Sequence, residues 1–218
     1  SIAWYREQGY LPEAICNYLA LLGWSPGDDV ENISMKELTE LFTVEKVHSS
    51  PARFDMKKLE AINGDKIRAL SVEDFARWTI PFLKKASVIE GTDAEIALVK
   101  QALPLIQERI VKLDEAPQLL KFLFVKEFAI DSDAVSKVND EGAKSILKRA
   151  QSELEQLSTW NHEAIEAALR TSLIEEMGLK PRIAFTALRI ATTGSTISPP
   201  LFESMELLGK QACLARIS

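Results

Sequence analysis

Signals that start and stop α-helices recur along the whole chain, and they limit the fold more than any other feature of the sequence. Pro12 suits the first position of a helix, and apolar residues follow it at helical spacing until Gly23, which is suited to ending that helix. Ser34 with Glu37 has the pattern of a capping box, in which two side chains satisfy free backbone N–H groups. These signals predict helices from the start of the chain.

Further helix starts are predicted in the middle of the chain. Ser71 with Asp74 is a weaker capping pattern, and Asp93 and Asp140 each precede an amphipathic run, the second of which extends to Leu157. Three helices in tandem are then predicted to end at glycine: residues 161–177 at Gly178, residues 181–193 at Gly194, and a helix from Ser198 and Pro199 at Gly209. The fold class is therefore predicted to be all-α.

Extended runs of alternating apolar and polar residues are scarce, and the one short strand that we predict lies at residues 43–47. The Asn-Gly-Asp sequence at residues 63–65 is typical of a turn, and the Asp-Ser-Asp sequence at residues 131–133 interrupts the apolar pattern. These two signals predict domain boundaries near Ser71 and Asp131.

The net charge of −6 argues against a protein that holds nucleic acid through overall attraction to phosphates. The 26 Lys and Arg residues can nevertheless cluster on one face. Candidates for phosphate contacts are Lys84, Lys85, Lys144, Lys148 and Arg149, although short basic runs on helices usually form an ordinary solvated face.

The cysteine and histidine content gives no indication of a metal site. Cys16, Cys213, His48 and His162 are too far apart in sequence to form a closely spaced set of zinc ligands. Free thiols prefer protein interiors, so both cysteines are predicted to be buried.

Catalytic patterns are not found either. There is no glycine-rich phosphate loop and no Ser-His-Asp order, and the paired acids at residues 28–29 and 175–176 are predicted to be solvated charges.

No stretch reaches the roughly 18 consecutive apolar residues of a membrane-spanning helix, and the first residues lack a signal-peptide pattern. We predict a soluble intracellular protein without catalytic residues.

Aromatic residues are frequent near the start of the chain, at Trp4, Tyr5, Tyr10, Tyr18 and Trp24. Exposed rings of this kind stack on nucleic-acid bases. Packing in a hydrophobic core is the more common role, and the sequence leaves both interpretations open.

Three parts of the chain, within residues 5–26, 50–63 and 188–210, contain motifs that resemble those of bacterial-type glutamyl-tRNA synthetases. Residues 5–14 (YREQGYLPEA) and 17–26 (NYLALLGWSP) are similar to the sequence that follows the KMSKS-type loop of that family, and residues 50–55 (SPARFD) with Lys58, Leu59 and Asn63 are similar to a second signature. Residues 188–194 (LRIATTG), 199–203 (PPLFE) and 207–210 (LLGK) resemble the end of the family's sequences.

The resemblance implies a class I aminoacyl-tRNA synthetase, which activates glutamate with ATP and magnesium and transfers it to its tRNA. The HIGH-type and KMSKS-type motifs that bind ATP are not in this sequence. The resemblance therefore implies that this chain lacks the catalytic domain, is inactive alone and holds no cofactor. It further implies that the partner is tRNA-Glu, with no DNA and no membrane, and that the protein is a cytoplasmic monomer. Whether tRNA-Gln is also charged stays open.

By the same resemblance, residues 1–70 would be part of the stem-contact domain, and residues 71–130 and 131–218 would be two anticodon-binding helical domains. Arg109 is similar to the arginine that inspects the third anticodon base, with Lys112 as the nearby alternative. Arg189 and Leu201 match positions that line the anticodon pocket. Arginine presents a planar fork of donors, which suits the exposed edges of splayed bases.

Two other function classes compete with tRNA recognition. An all-helical protein-binding scaffold is consistent with the acidic balance and the amphipathic helices, which could offer a groove to a partner helix. Helix-turn-helix binding of DNA is less well supported, because no predicted helix carries a dense basic face for a major groove.

Overall fold

The computed structural model describes residues 1–27, 29–49 and 53–218, and within these ranges it contains helices and no strands. Asp28 of the first acid pair and residues 50–52 of the second signature lie outside the described residues. The α-helices are α1 Ile2–Glu7, α2 Pro12–Leu21, α3 Met35–Leu41, α4 Met56–Arg68, α5 Val72–Lys85, α6 Asp93–Ile106, α7 Ala116–Leu120, α8 Glu141–Glu155, α9 His162–Leu169, α10 Pro181–Thr193, α11 Leu201–Leu208 and α12 Lys210–Ile217. The all-α prediction is confirmed.

Two compact units make up the described chain. Unit 1 comprises Ser1–Ala86 and Ile106–Pro117, and unit 2 comprises Ser87–Leu105 and Gln118–Ser218. The division into domains at residues 70 and 130 stays a prediction.

Most of the predicted capping signals begin helices where the sequence places them. Ser34 and Glu37 form a reciprocal capping box at α3, and the Ser71 hydroxyl accepts from Asp74 N–H at the start of α5. Asp140 caps α8 in the same way. Short-range hydrogen bonding therefore decides these helix starts with little help from tertiary contacts.

Two helix starts and one strand were predicted wrongly. At α6 the capping residue is Thr92, whose hydroxyl accepts from Glu95 N–H while the Glu95 carboxylate accepts from Thr92 N–H, so Asp93 is already inside the helix. The third helix of the tail begins at Leu201, because Ser198 and Pro199 belong to the loop before it. Residues predicted as a strand form the 3₁₀ turn Val44–Lys46.

Two predicted helix ends also shift. Helix α2 ends at Leu21, and Gly23 does not adopt the left-handed conformation that is typical of a terminating glycine. Helix α8 ends two residues before Leu157. The run predicted at residues 161–177 is α9 continued by a π-helix, Arg170–Glu176, and it does end at Gly178, which has φ of +67°.

The turn predicted at residues 63–65 is absent, because these residues lie inside α4. The Asn63 side chain is fully buried in unit 1: its Oδ1 accepts from Leu11 N–H at 2.8 Å, and its Nδ2 donates to Val111 O at 2.6 Å and Gly9 O at 3.2 Å. Gly64 faces the Val111 side chain, and a Cβ at Gly64 would lie 3.2 Å from it. Long-range packing therefore overrides a local turn signal.

Hydrophobic packing explains most of the aromatic residues near the start of the chain. Tyr10, Tyr18 and Trp24 are buried in unit 1, as the core interpretation predicts, whereas Trp4 is half exposed. In the core of unit 2 the Cys213 thiol is fully buried, and desolvation raises its pKa to about 12. Cys16 is exposed, so the prediction that both thiols are buried is wrong for Cys16.

Candidate nucleic-acid interface

The loop that joins α10 to α11 is held tightly at its first residue. Gly194 ends α10 with φ of +79°, and its carbonyl accepts from Asp131 N–H at 2.8 Å. A Cβ at this position would lie 2.6 Å from the carbonyl oxygen of Ala129, so a side chain does not fit. Glycine is therefore required both by the backbone conformation and by the close approach of another segment.

The Arg189 side chain, on α10, holds this loop through hydrogen bonds. Its Nη1 donates to the Ser198 hydroxyl and, at 2.9 Å, to the carbonyl of Pro199, while the Thr193 hydroxyl donates to the Arg189 carbonyl at 2.7 Å. Ser198 is buried and Arg189 is half-buried. One guanidinium thus sets the path of the loop immediately before α11 begins.

Leu201 and Phe202 open α11 and face different surroundings. Leu201 belongs to the buried core of unit 2, with 5% of its surface exposed. The Phe202 ring is half-buried and meets Phe185 edge to face, with 5.1 Å between ring centroids, and the guanidinium carbon of Arg170 lies 5.3 Å from the Phe185 centroid. A partly exposed aromatic pair with an arginine on it is a surface on which a base can stack.

The structure thus brings Arg189 and Leu201 to one junction, and it adds Phe185 and Arg170, which the sequence reasoning missed. Phe185 lies four residues before Arg189, a spacing that places two side chains on one helix face. That spacing was a usable signal for Phe185. Arg170 is in the π-helix, and the sequence contained no signal for its approach to Phe185.

Arg109 belongs to unit 1, where it lies on the turn that directly follows α6. Its N–H donates to Ile106 O at 2.9 Å, and the neighbouring Ile110 is fully buried. The Gln107 amide donates to the carbonyls of Ile67 and Leu70 at 2.9 Å each. The exposed Arg109 side chain therefore projects from a backbone turn that is fixed on both sides.

The other cationic candidates differ in their surroundings. The Arg149 guanidinium is engaged with two carboxylates, at 3.0 Å from Glu153 and with Glu176. Lys144 pairs with Glu141 at 3.2 Å, while Lys148 is exposed on the same helix. Lys112 is half-buried, with its Nζ 3.8 Å from Asp114 Oδ1. Lys148 is thus the better candidate for a phosphate contact on α8.

Helix α11 is also fixed at its other end, through His162 at the start of α9. The Nδ1 of His162 lies 2.7 Å from Glu206 Oε2, and its backbone N–H donates to the same oxygen at 3.1 Å. The hydrogen bond to Glu206 raises the pKa of His162 above its ordinary value of 6.5, against the opposing effect of burial, and the charges of Glu163 and Glu203 add to the increase.

We expect this contact to make the stability of the chain depend on pH. Folding favours the charged imidazole, so the stabilisation is fully present below pH 6.5 and is lost as the pH rises through the raised folded pKa of His162. Urea denaturation at about pH 6 and about pH 9 measures this, with His162→Gln as the reference. A pH dependence as large in His162→Gln as in the unchanged chain would contradict the assignment.

Neither a metal cluster nor a membrane span is found in the part of the chain that the structure describes. No group of three or more His, Cys, Asp or Glu side chains there is arranged to hold a metal ion. None of the helices in those ranges is long and apolar enough to cross a bilayer.

Comparison with known proteins assigns the chain to a family. The anticodon binding domain family matches residues 74–218, and the catalytic domain family of class I tRNA synthetases (E and Q) matches residues 1–61. The glutamate–tRNA ligase of Saccharopolyspora erythraea is 45% identical over 216 residues, which is 98% of this chain and 43% of the relative. That of Acidothermus cellulolyticus is 47% identical over 220 residues, covering 99% and 44%.

A solved structure agrees with these relatives. The crystal structure of a glutamate tRNA ligase from Elizabethkingia meningosepticum, in complex with its amino acid, matches with a TM-score of 0.82 at 29% identity, over 98% of this chain and 41% of that one. The chain thus spans less than half the length of the relatives that it matches. It belongs to the anticodon binding domain family, in the form that this domain takes in glutamate–tRNA ligases.

Proposed function

We propose that this chain is the tRNA-binding, anticodon-reading part of a glutamate–tRNA ligase. The observation that carries the proposal is the match of the anticodon binding domain family over residues 74–218, which include Arg109, Arg189 and Leu201. In the whole protein, a class I catalytic domain would use ATP with magnesium to activate glutamate and would transfer it to the terminal adenosine of tRNA-Glu. Binding energy from the stem and the anticodon loop then serves to orient the acceptor end. We further propose a cytoplasmic monomer.

The junction of α10 and α11 suits this role. Anticodon bases are splayed out of their loop, so they are read by hydrogen bonds on their edges and by stacking. Arg189 keeps the loop before α11 in one path, and the Phe185–Phe202 pair offers a partly exposed aromatic surface beside Leu201. We propose that Arg189 and Leu201 act mainly by shaping this surface, while Arg109 contacts the third anticodon base from its fixed turn.

The protein-binding scaffold is the weaker candidate. Every relative and structure described above is a glutamate–tRNA ligase, and Arg170 lies over the Phe185 ring at the α10–α11 junction. A groove for a partner helix would instead require a continuous apolar stripe.

A binding titration tests the proposal with two RNAs at low salt: tRNA-Glu, and the same tRNA with its third anticodon base replaced. We expect tighter binding of the unchanged tRNA. Arg109→Ala should remove about 1 to 3 kcal/mol of this discrimination, because an arginine that reads a base edge acts on that base alone. Lys148→Ala is the matched control. It should weaken the binding of both RNAs equally, and it should reduce the slope of log binding constant against log salt concentration by about one.

Arg189 requires two variants, since its loss changes the loop. Arg189→Ala should weaken binding of the unchanged tRNA and reduce the discrimination, and Arg189→Lys should restore part of the loss, because one nitrogen, Nη1, donates to both Ser198 and Pro199 and an ammonium can also donate to two acceptors. An equal loss for both RNAs in Arg109→Ala would refute base reading by Arg109. Equal binding of both RNAs by the unchanged chain would refute anticodon reading altogether.

A further inference from the structure

Helix α5 carries one broad apolar face, and the core of unit 1 leaves one edge of that face partly uncovered. Phe75, Thr79 and Leu83 are fully buried. Phe82, seven residues after Phe75, continues the same stripe, and Trp78 lies at its edge; both remain partly exposed, and 38% of the Trp78 surface is open. The core therefore leaves a large aromatic surface of α5 accessible to a ligand.

The uncovered edge of α5 forms one wall of a cleft of about 320 Å³ that lies wholly within unit 1. Trp78, Pro81 and Phe82 form this wall, and the buried residues Tyr10 and Leu113 form the floor. The spacing of the wall residues, at i, i+3 and i+4, keeps them on one side of the helix. The lining of the cleft is thus mainly apolar and includes three aromatic rings.

The lining of the cleft also includes two exposed cations. Arg6 of α1 and Lys85 at the end of α5 both line it, and neither forms an ion pair with a residue that the structure describes. Glu7 also lines the cleft and opposes them, which leaves one net positive charge. The burial of Tyr10 and its proximity to Glu60 raise the Tyr10 pKa to about 12.

We propose that this cleft binds one nucleotide, with the base stacked on Trp78 and the phosphate held between Arg6 and Lys85. An aromatic platform beside cationic side chains is the combination by which single-stranded nucleic acids are held without sequence preference. The few polar groups in the cleft agree with stacking as the main contact, since edge recognition of a base needs placed donors and acceptors.

The nucleotide has two possible sources, a free mononucleotide or an unpaired residue of bound RNA, and the latter would extend the proposed function. The test therefore uses adenosine monophosphate, adenosine and a short single-stranded oligoadenylate, and not a tRNA. Its result is independent of whether the chain reads an anticodon, so the two proposals can fail separately.

Tryptophan fluorescence follows the binding, because the chain has four tryptophans and only Trp78 lines the cleft. Adenosine monophosphate should quench part of the emission, and adenosine should do so only at a severalfold higher concentration. Saturation by the oligoadenylate at a much lower concentration than by the mononucleotide identifies RNA as the source; equal concentrations identify the free nucleotide. No quenching by either phosphorylated ligand would overturn the proposal.

Substitutions distinguish direct contact between Trp78 and the base from a role of Trp78 in packing. Trp78→Ala should weaken binding, measured by equilibrium dialysis, by about fivefold or more. Trp78→Phe should retain most of the binding while the quenching disappears, which a merely structural role would not produce.

Lys85→Ala should weaken the binding of the phosphorylated ligands by about threefold and leave the binding of adenosine unchanged, because one phosphate contact is lost. Lys84→Ala is the matched control of equal charge, since Lys84 does not line the cleft; an equal loss in both lysine variants would refute the phosphate position.

Discussion

Asn63→Ala is expected to destabilise the chain by about 3 kcal/mol, because the substitution leaves buried polar groups of the backbone without partners. Leu11 N–H and Val111 O both lose the side chain with which they bond, at 2.8 and 2.6 Å. Gly9 O loses less, since it also accepts from Leu113 N–H at 3.0 Å. A loss of this size is a large part of the total stability of a typical domain.

Urea denaturation measures this loss, and Asn32→Ala is the matched control. Asn32 is exposed in the same unit, so its replacement should change the free energy of unfolding by less than about 0.5 kcal/mol. A comparable effect in the two variants would show that the Asn63 amide contributes no specific stabilisation. Because Asn63 links the segments that contain Leu11 and Val111, we expect its loss to loosen the same part of unit 1 that carries Arg109.

Gly194→Ala is expected to cost about 3 kcal/mol or more, for two independent reasons. An L-residue in the left-handed region costs about 1 to 2 kcal/mol. In addition, the new Cβ would lie 2.6 Å from the backbone carbonyl of Ala129, which cannot move as a flexible side chain would.

Gly178→Ala separates these two contributions in the same unit. Gly178 also has a positive φ, of +67°, but no atom would lie within 4 Å of a Cβ there, so its replacement should cost only about 1 kcal/mol. Thermal denaturation of the two variants gives the comparison. Equal losses would mean that the Ala129 segment yields easily; a larger loss for Gly194 should be accompanied by weaker binding of tRNA-Glu, because Gly194 begins the loop that Arg189 holds.

Much of the helical pattern could be read from the sequence, because its causes are local. Ser34, Ser71 and Asp140 cap helices through hydrogen bonds to residues three positions later, and Pro181 and Gly194 bound α10 as predicted. The Thr92–Glu95 box has an equally local cause, and we missed it by assigning the cap to the neighbouring Asp93.

The candidate site could be predicted only in part from the sequence. Resemblance to a family led to Arg189 and Leu201 as candidates, and both lie at the α10–α11 junction, while their role in binding stays a prediction. Phe185 and Arg170 escaped the sequence reasoning, since their contact joins a helix and a π-helix that pack only in the folded chain. The same limit applied to the uncovered edge of α5, because apolar spacing alone does not tell how much of an apolar face the core covers.

The sequence by itself determined the all-α class, most helix starts and the family, because capping, helical periodicity and ordered motifs are written in neighbouring residues. Only the tertiary structure decided that residues 63–65 continue a helix, that Cys16 is exposed, and that the Arg189 guanidinium donates a hydrogen bond to the loop before α11. The physical reason is the same in each case. These outcomes depend on which distant groups bury a side chain or satisfy its hydrogen bonds, and no local pattern contains that information.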